Sequence, residues 1–152
     1  MFSKRRVTIF LVVLLGVGTL CLPTPRIYLC GASVTHLKSG EWVVSGPSIR
    51  MTDARFRWLV HAINSHGNIS CMRLSTPNIS DEGFAPASKL DSLSWLFIED
   101  SQISDDALEH FCSLSRLGKL YFDRCPNLTD AKLNWLRSEL PDCNIRVDAY
   151  TP

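Results

Sequence analysis

The chain has little of what enzymes and nucleic-acid-binding domains carry. It holds six cysteines and four histidines, yet no C-x-x-C occurs, and nothing in the spacing supports a zinc site. His36, His61, His66 and His110 are scattered, none placed by spacing beside a candidate nucleophile, and a general base must reach the proton it removes. They read as solvated surface histidines. No acid, base and nucleophile converge, so the expectation is a protein without enzymatic activity, cofactor or metal. A basic surface is missing as well. Of the 16 lysines and arginines, Lys4, Arg5, Arg6 and Arg26 precede Ser33, leaving 12 against 15 acidic residues and a net charge near −3 for the remainder. Nucleic-acid binding normally needs a clustered positive footprint, which argues against that class. At 45% apolar and 20% charged residues, the composition is that of a globular chain.

Long apolar runs are scarce too, and the exception is informative. Lys4-Arg5-Arg6 precedes an apolar run of 16 residues from Val7 to Leu22, closed by Pro23 and Pro25. As a helix that run reaches ~24 Å, short of the ~30 Å hydrocarbon layer. It fits a signal peptide or a signal anchor. Cleavage wants small residues after the run, and the nearest candidate, Cys30-Gly31-Ala32, is poor, which favours the uncleaved anchor. Cys21 follows the bulky Leu20 and makes a poor lipid-attachment site. Basic flanks stay in the cytoplasm. The chain therefore divides into a targeting segment, 1–32, and a domain, 33–152, expected outside the cytoplasm, membrane-anchored or, if cleaved, secreted.

A repeat organises that domain. An apolar residue, Ser or Thr, then Asp occurs at Met51-Thr52-Asp53, Ile79-Ser80-Asp81, Ile103-Ser104-Asp105 and Leu128-Thr129-Asp130, at spacings of 28, 24 and 25. Five and eight residues after each apolar residue stand Phe56 and Leu59, Phe84 and Ala87, Leu108 and Phe111, and Leu133 and Leu136. A spacing of three keeps side chains on one face of a helix. Just before three of the triplets run strand-like alternations, Ile69-x-x-Met72-x-Leu74, Leu93-x-x-Leu96-x-Ile98 and Leu117-x-x-Leu120-x-Phe122. Each unit thus switches from strand period to helix period. Val43-Val44 reads as a degenerate first strand, and Leu140 to Val147 as a last strand ending the array. Pro86 should leave the second unit's helix short or irregular, because proline removes a backbone donor.

The unit from Leu117 through Cys125-Pro126-Asn127-Leu128-Thr129-Asp130 to Leu136 resembles a cysteine-containing leucine-rich repeat, and the period of 24 to 25 residues belongs to that class. The resemblance covers residues 43 to 148. It implies an α/β fold, a short solenoid of about four repeats plus terminal strands, with parallel strands on a concave face and helices on the convex one. At the position where the family often places Cys or Asn to bond neighbouring turns, this sequence has Pro77, Ser101 and Cys125; the last unit alone fits. Similar repeats occur in ubiquitin-ligase adaptors, but the export signal and the lack of an adaptor-binding domain speak against that role.

The Ser/Thr-Asp pairs read as helix caps: the hydroxyl accepts from open backbone N–H groups and the Asp complements the positive helix end. Cys71, Cys112, Cys125 and Cys143 read as small buried residues or disulfide partners whose pairing the sequence leaves open, with Cys125 expected inside. The sequons at Asn68, Asn78 and Asn127 are weak signals, two of them by-products of the repeat.

Alternation along the strands also names the residues pointing away from the core. They form four rows: Cys71, Arg73, Ser75; Trp95, Phe97, Glu99; Lys119, Tyr121, Asp123; and Asn144, Arg146, Asp148. Trp95, Phe97 and Tyr121 should gather at the centre, flanked by Arg73, Lys119 and Arg146, with Glu99, Asp123 and Asp148 along one edge. Aromatics bordered by charges are enriched at binding centres. The expected function is a non-enzymatic scaffold that binds a protein partner on this concave face and meets the membrane through the N-terminal segment. The alternatives are a structural subunit docking into a larger membrane complex, or aromatics that only pair across strands for stability.

Overall fold

Period-two segments rich in Leu, Ile, Phe and Met need a sheet with one face covered, and the computed structural model of the protein provides one. It describes residues 26–29, 32–36, 42–47, 51–64 and 69–148; the apolar run Val7–Leu22 of the expected targeting segment lies outside them. The fold is α/β. Strands β1 (Arg26–Leu29), β2 (Ala32–His36), β3 (Trp42–Pro47), β4 (Ile69–Ser75), β5 (Trp95–Glu99), β6 (Lys119–Asp123) and β7 (Asn144–Asp148) lie in one sheet in sequence order. β1, β2 and β3 pair antiparallel, and β3 to β7 form an all-parallel run of five. β1 falls within residues 1–32 and pairs antiparallel with β2. The sequence reading did not anticipate that hairpin.

A helix follows each of β3 to β6: α1 (Asp53–Asn64), the 3-10 helices η1 (Glu82–Lys89) and η2 (Asp105–Phe111), and α2 (Asp130–Glu139). Each packs on the next, α1 on η1, η1 on η2, η2 on α2. Pro86 sits inside η1, in line with the expected irregularity, but η2 is 3-10 without any proline. A 3-10 helix rises ~2.0 Å per residue against 1.5 Å for an α-helix. The shorter units can thus cover a comparable length with fewer residues.

The core lies between the helices and one sheet face. Met72, Leu74, Leu96, Ile98, Leu120 and Phe122 point into it from the strands, and the residues five and eight after the apolar residue of each triplet, Phe56 and Leu59 through Leu133 and Leu136, from the helices. Phe56, Phe84, Phe111 and Phe122 form a continuous aromatic stack, with successive centroids 5.3, 5.8 and 6.2 Å apart and tilted or edge-on rings. Offset and edge contacts of this kind add to the burial of large apolar side chains.

The triplets do more than cap. Asp53 accepts from the Ser80 backbone N–H at 2.9 Å and its hydroxyl at 2.6 Å. Asp81 holds Ser104 the same way at 2.7 and 2.6 Å, and Asp105 holds Thr129 at 2.8 and 2.6 Å. Each carboxylate therefore clamps the hydroxyl residue of the following unit, which corrects the assignment of Asp to its own helix end alone. The hydroxyls still cap: Ser80 Oγ accepts from Gly83 N, Ser104 Oγ from Asp106 N and Thr129 Oγ1 from Lys132 N. The Ser80 hydroxyl pulls the Asp53 carboxyl below its ordinary value.

At the strand exits Thr76, Ser101 and Cys125 are buried, while Pro77 is half-buried. Asp100 and Arg124, at φ 51° and 53°, add a left-handed residue before Ser101 and Cys125 that the second unit lacks. Ser101 Oγ donates to the Thr76 carbonyl at 3.3 Å. Cys125 is 7% exposed, and burial raises its thiol to about 11. Cys71, Cys112, Cys125 and Cys143 are all free thiols.

Candidate functional site

Backbone bonds at both strand ends fix the register of the outward rows. At the entry, Ser94 N donates to Ser70 O, Gly118 N to Ser94 O and Asn144 N to Gly118 O, at 2.8 to 2.9 Å. At the exit, Thr76 N donates to Glu99 O at 2.9 Å and Asp100 N to Asp123 O at 3.0 Å. Trp95, Lys119 and Asn144 are thereby brought side by side across three strands, as are Phe97, Tyr121 and Arg146, and Glu99, Asp123 and Asp148. A slip of one residue would send each of these side chains into the core.

The structure brings the expected aromatics together. Trp95 and Phe97 rings lie 6.5 Å apart edge-on, and Phe97 and Tyr121 5.9 Å apart. Trp95 is 45% exposed, while Phe97 and Tyr121 are half-buried. The other strongly exposed large apolar side chain among the described residues, Trp58 at 44%, belongs to α1 and not to this face. Lys119 Nζ stands over the Trp95 ring, 4.1 Å from its centroid, a cation–π contact that locates the ammonium without neutralising it.

The remaining charges divide into paired and unpaired groups. Arg73 reaches Glu99 at 2.7 Å. Asp123 is paired with Arg124, which also grips Asp100 with two guanidinium nitrogens, and Ser75 Oγ donates to Asp100 at 3.2 Å. The Arg124 guanidinium holds the Asp100 carboxyl below its ordinary value, and Asp100 in turn raises Arg124. The Tyr121 hydroxyl donates to Asp148, which raises the phenol above its usual range. Lys119 and Arg146 have no carboxylate within 4 Å among the described residues. Between them an open depression of about 310 Å³ is lined by Phe97, Lys119, Leu120, Tyr121, Asn144 and Arg146.

Sequence reasoning missed Arg124, Asp100 and the part played by Asn144. No glycine marks the left-handed turns, so nothing showed that Arg124 could fold back over the acidic row. Of the histidines, His61 is exposed and His110 half-buried; nothing is described of the side chain of His36 or of His66. Among the described residues no group of three or more His, Cys, Asp or Glu is placed to hold a metal ion, and no helix is long and apolar enough to cross a membrane. No protein-family model matches the chain, and no curated protein is significantly similar to it.

Proposed function

We propose that the domain is a short leucine-rich-repeat solenoid acting as a non-enzymatic scaffold, with its strand face, concave in such a solenoid, binding a protein partner outside the cytoplasmic membrane. The repeat reading draws support from units that each supply a strand and a helix, stack in sequence order and are joined by three equivalent Asp to Ser/Thr clamps. The observation that carries the functional reading is the outward row of Trp95, Phe97 and Tyr121, ring against ring, with Lys119 and Arg146 beside it and a depression between them. Exposed aromatic clusters bordered by charge are a frequent mark of contact sites. Retention of the N-terminal segment as an anchor accords with the pairing of β1 and β2, because a cut at Cys30–Ala32 would separate those strands.

The test is capture of partners from a detergent extract of the membrane, with wild type beside Trp95→Ala and Tyr121→Ala. The expected result is a defined set of proteins retained by wild type and lost or strongly weakened in both variants. Equal retention by both variants would remove this face as the site.

A further inference from the structure

We infer that the partner segment on this face carries an acidic side chain next to an apolar one, its carboxylate lying between Lys119 and Arg146 and its apolar group against the rings of Phe97 and Tyr121. This rests on the reading of the strand face as a partner surface and adds the chemistry of what is recognised. Charge pairing on the face is selective. Arg73 is taken by Glu99 and Arg124 by Asp100 and Asp123, whereas Lys119 and Arg146 have no acid within 4 Å among the described residues. The acids of the face stand in the exit row, and each has a partner: Glu99 has Arg73, Asp123 has Arg124, and Asp148 has the Tyr121 hydroxyl.

Geometry makes the two cations usable together. Lys119 and Arg146 both line the 310 Å³ depression, with the Asn144 amide beside them and the Phe97 and Tyr121 rings as its apolar wall. The Trp95 ring beneath Lys119 limits where the ammonium can go. A carboxylate entering there gains two charge-assisted contacts from groups that have no other acid to leave. A neutral or basic segment would cover both cations without compensation, which disfavours it.

The experiment selects binders from a displayed library of random peptides on the detergent-solubilised full-length chain, then measures synthetic copies by fluorescence anisotropy. Expected are binders enriched in Asp or Glu adjacent to Leu, Phe or similar residues, weakened about tenfold or more by Lys119→Glu or Arg146→Glu and by Glu→Gln in the peptide, and weakened by added salt. Lys119→Gln and Arg146→Gln, with melting curves matching wild type, repeat the comparison without charge reversal. Binders that vanish in Trp95→Ala but carry no acidic preference, or bind all four charge variants as tightly as wild type, overturn the carboxylate inference and leave the face as a partner surface. Binders that persist at full strength in Trp95→Ala, Tyr121→Ala and all four charge variants, or a library that yields none, overturn the face itself and this inference with it.

Discussion

The two sides of the sheet use polar side chains in opposite ways. On the helix side, the acids and hydroxyls of three successive units are bonded within the stack: Asp53, Asp81 and Asp105 each hold the hydroxyl residue of the next unit with two bonds, and that hydroxyl caps its own helix. On the outward side the exit row is paired off, while Lys119 and Arg146 near the aromatics are not. One period generates both surfaces, because a strand sends alternate residues to opposite faces. The difference teaches that the bonds joining one unit to the next are made without the central outward residues.

Substitutions can break that contrast, and the largest effect belongs to the core. Phe84 sits between Phe56 and Phe111 and is buried, so Phe84→Ala should cost about 3–5 kcal/mol in urea unfolding. Gly83→Ala should come next. A Cβ there would approach to 2.8 Å from an Ile79 methyl and press still closer on the Asp53 carboxylate, which Ser80 already fixes. The expected loss is about 1–3 kcal/mol, and with Asp53→Ala in the same chain the double variant should lose less than the sum of the two single losses, because both strike one clamp.

Ser104→Ala or Thr129→Ala removes a cap and one of the two bonds to the preceding carboxylate, for about 1 kcal/mol each. Unchanged melting temperatures in both would count against the clamp. The smallest expected effect is a pH dependence. Asp53 has its carboxyl lowered from 3.8, first by the Ser80 hydroxyl, so the clamp's contribution is whole above that value and fades as pH falls from about 3.8 through the depressed one. Acid titration of stability should therefore show an added loss below that point in wild type that is smaller in Asp53→Asn.

Much of the stack was legible because it is written in period. The residues five and eight after the apolar residue of each triplet are buried, and the outward rows fall in the register that alternation gave. What was not legible depends on contacts between units. Asp53, Asp81 and Asp105 look like ordinary helix-end acids in sequence, and their partners lie 23 to 27 residues away. Thr76 escaped notice because counting from Leu74 assumed a turn as long as those containing Asp100 and Arg124, whose positive φ carries no glycine to announce it. The hairpin of β1 and β2 follows no repeat and offered no pattern to read. In the candidate site, the gathering of Trp95, Phe97 and Tyr121 could be foreseen from strand register; which charges would pair could not, since that turns on where the Arg124 side chain goes.

Equilibrium unfolding of Trp95→Ala puts the contrast between the two faces to its most direct test. The expected loss is less than about 1 kcal/mol, the range of an exposed side chain with one cation–π and one edge-on ring contact, while Phe84→Ala under the same conditions loses several times more. A loss from Trp95→Ala equal to that of Phe84→Ala would contradict it, and would make the outward aromatic row part of what holds the sheet together.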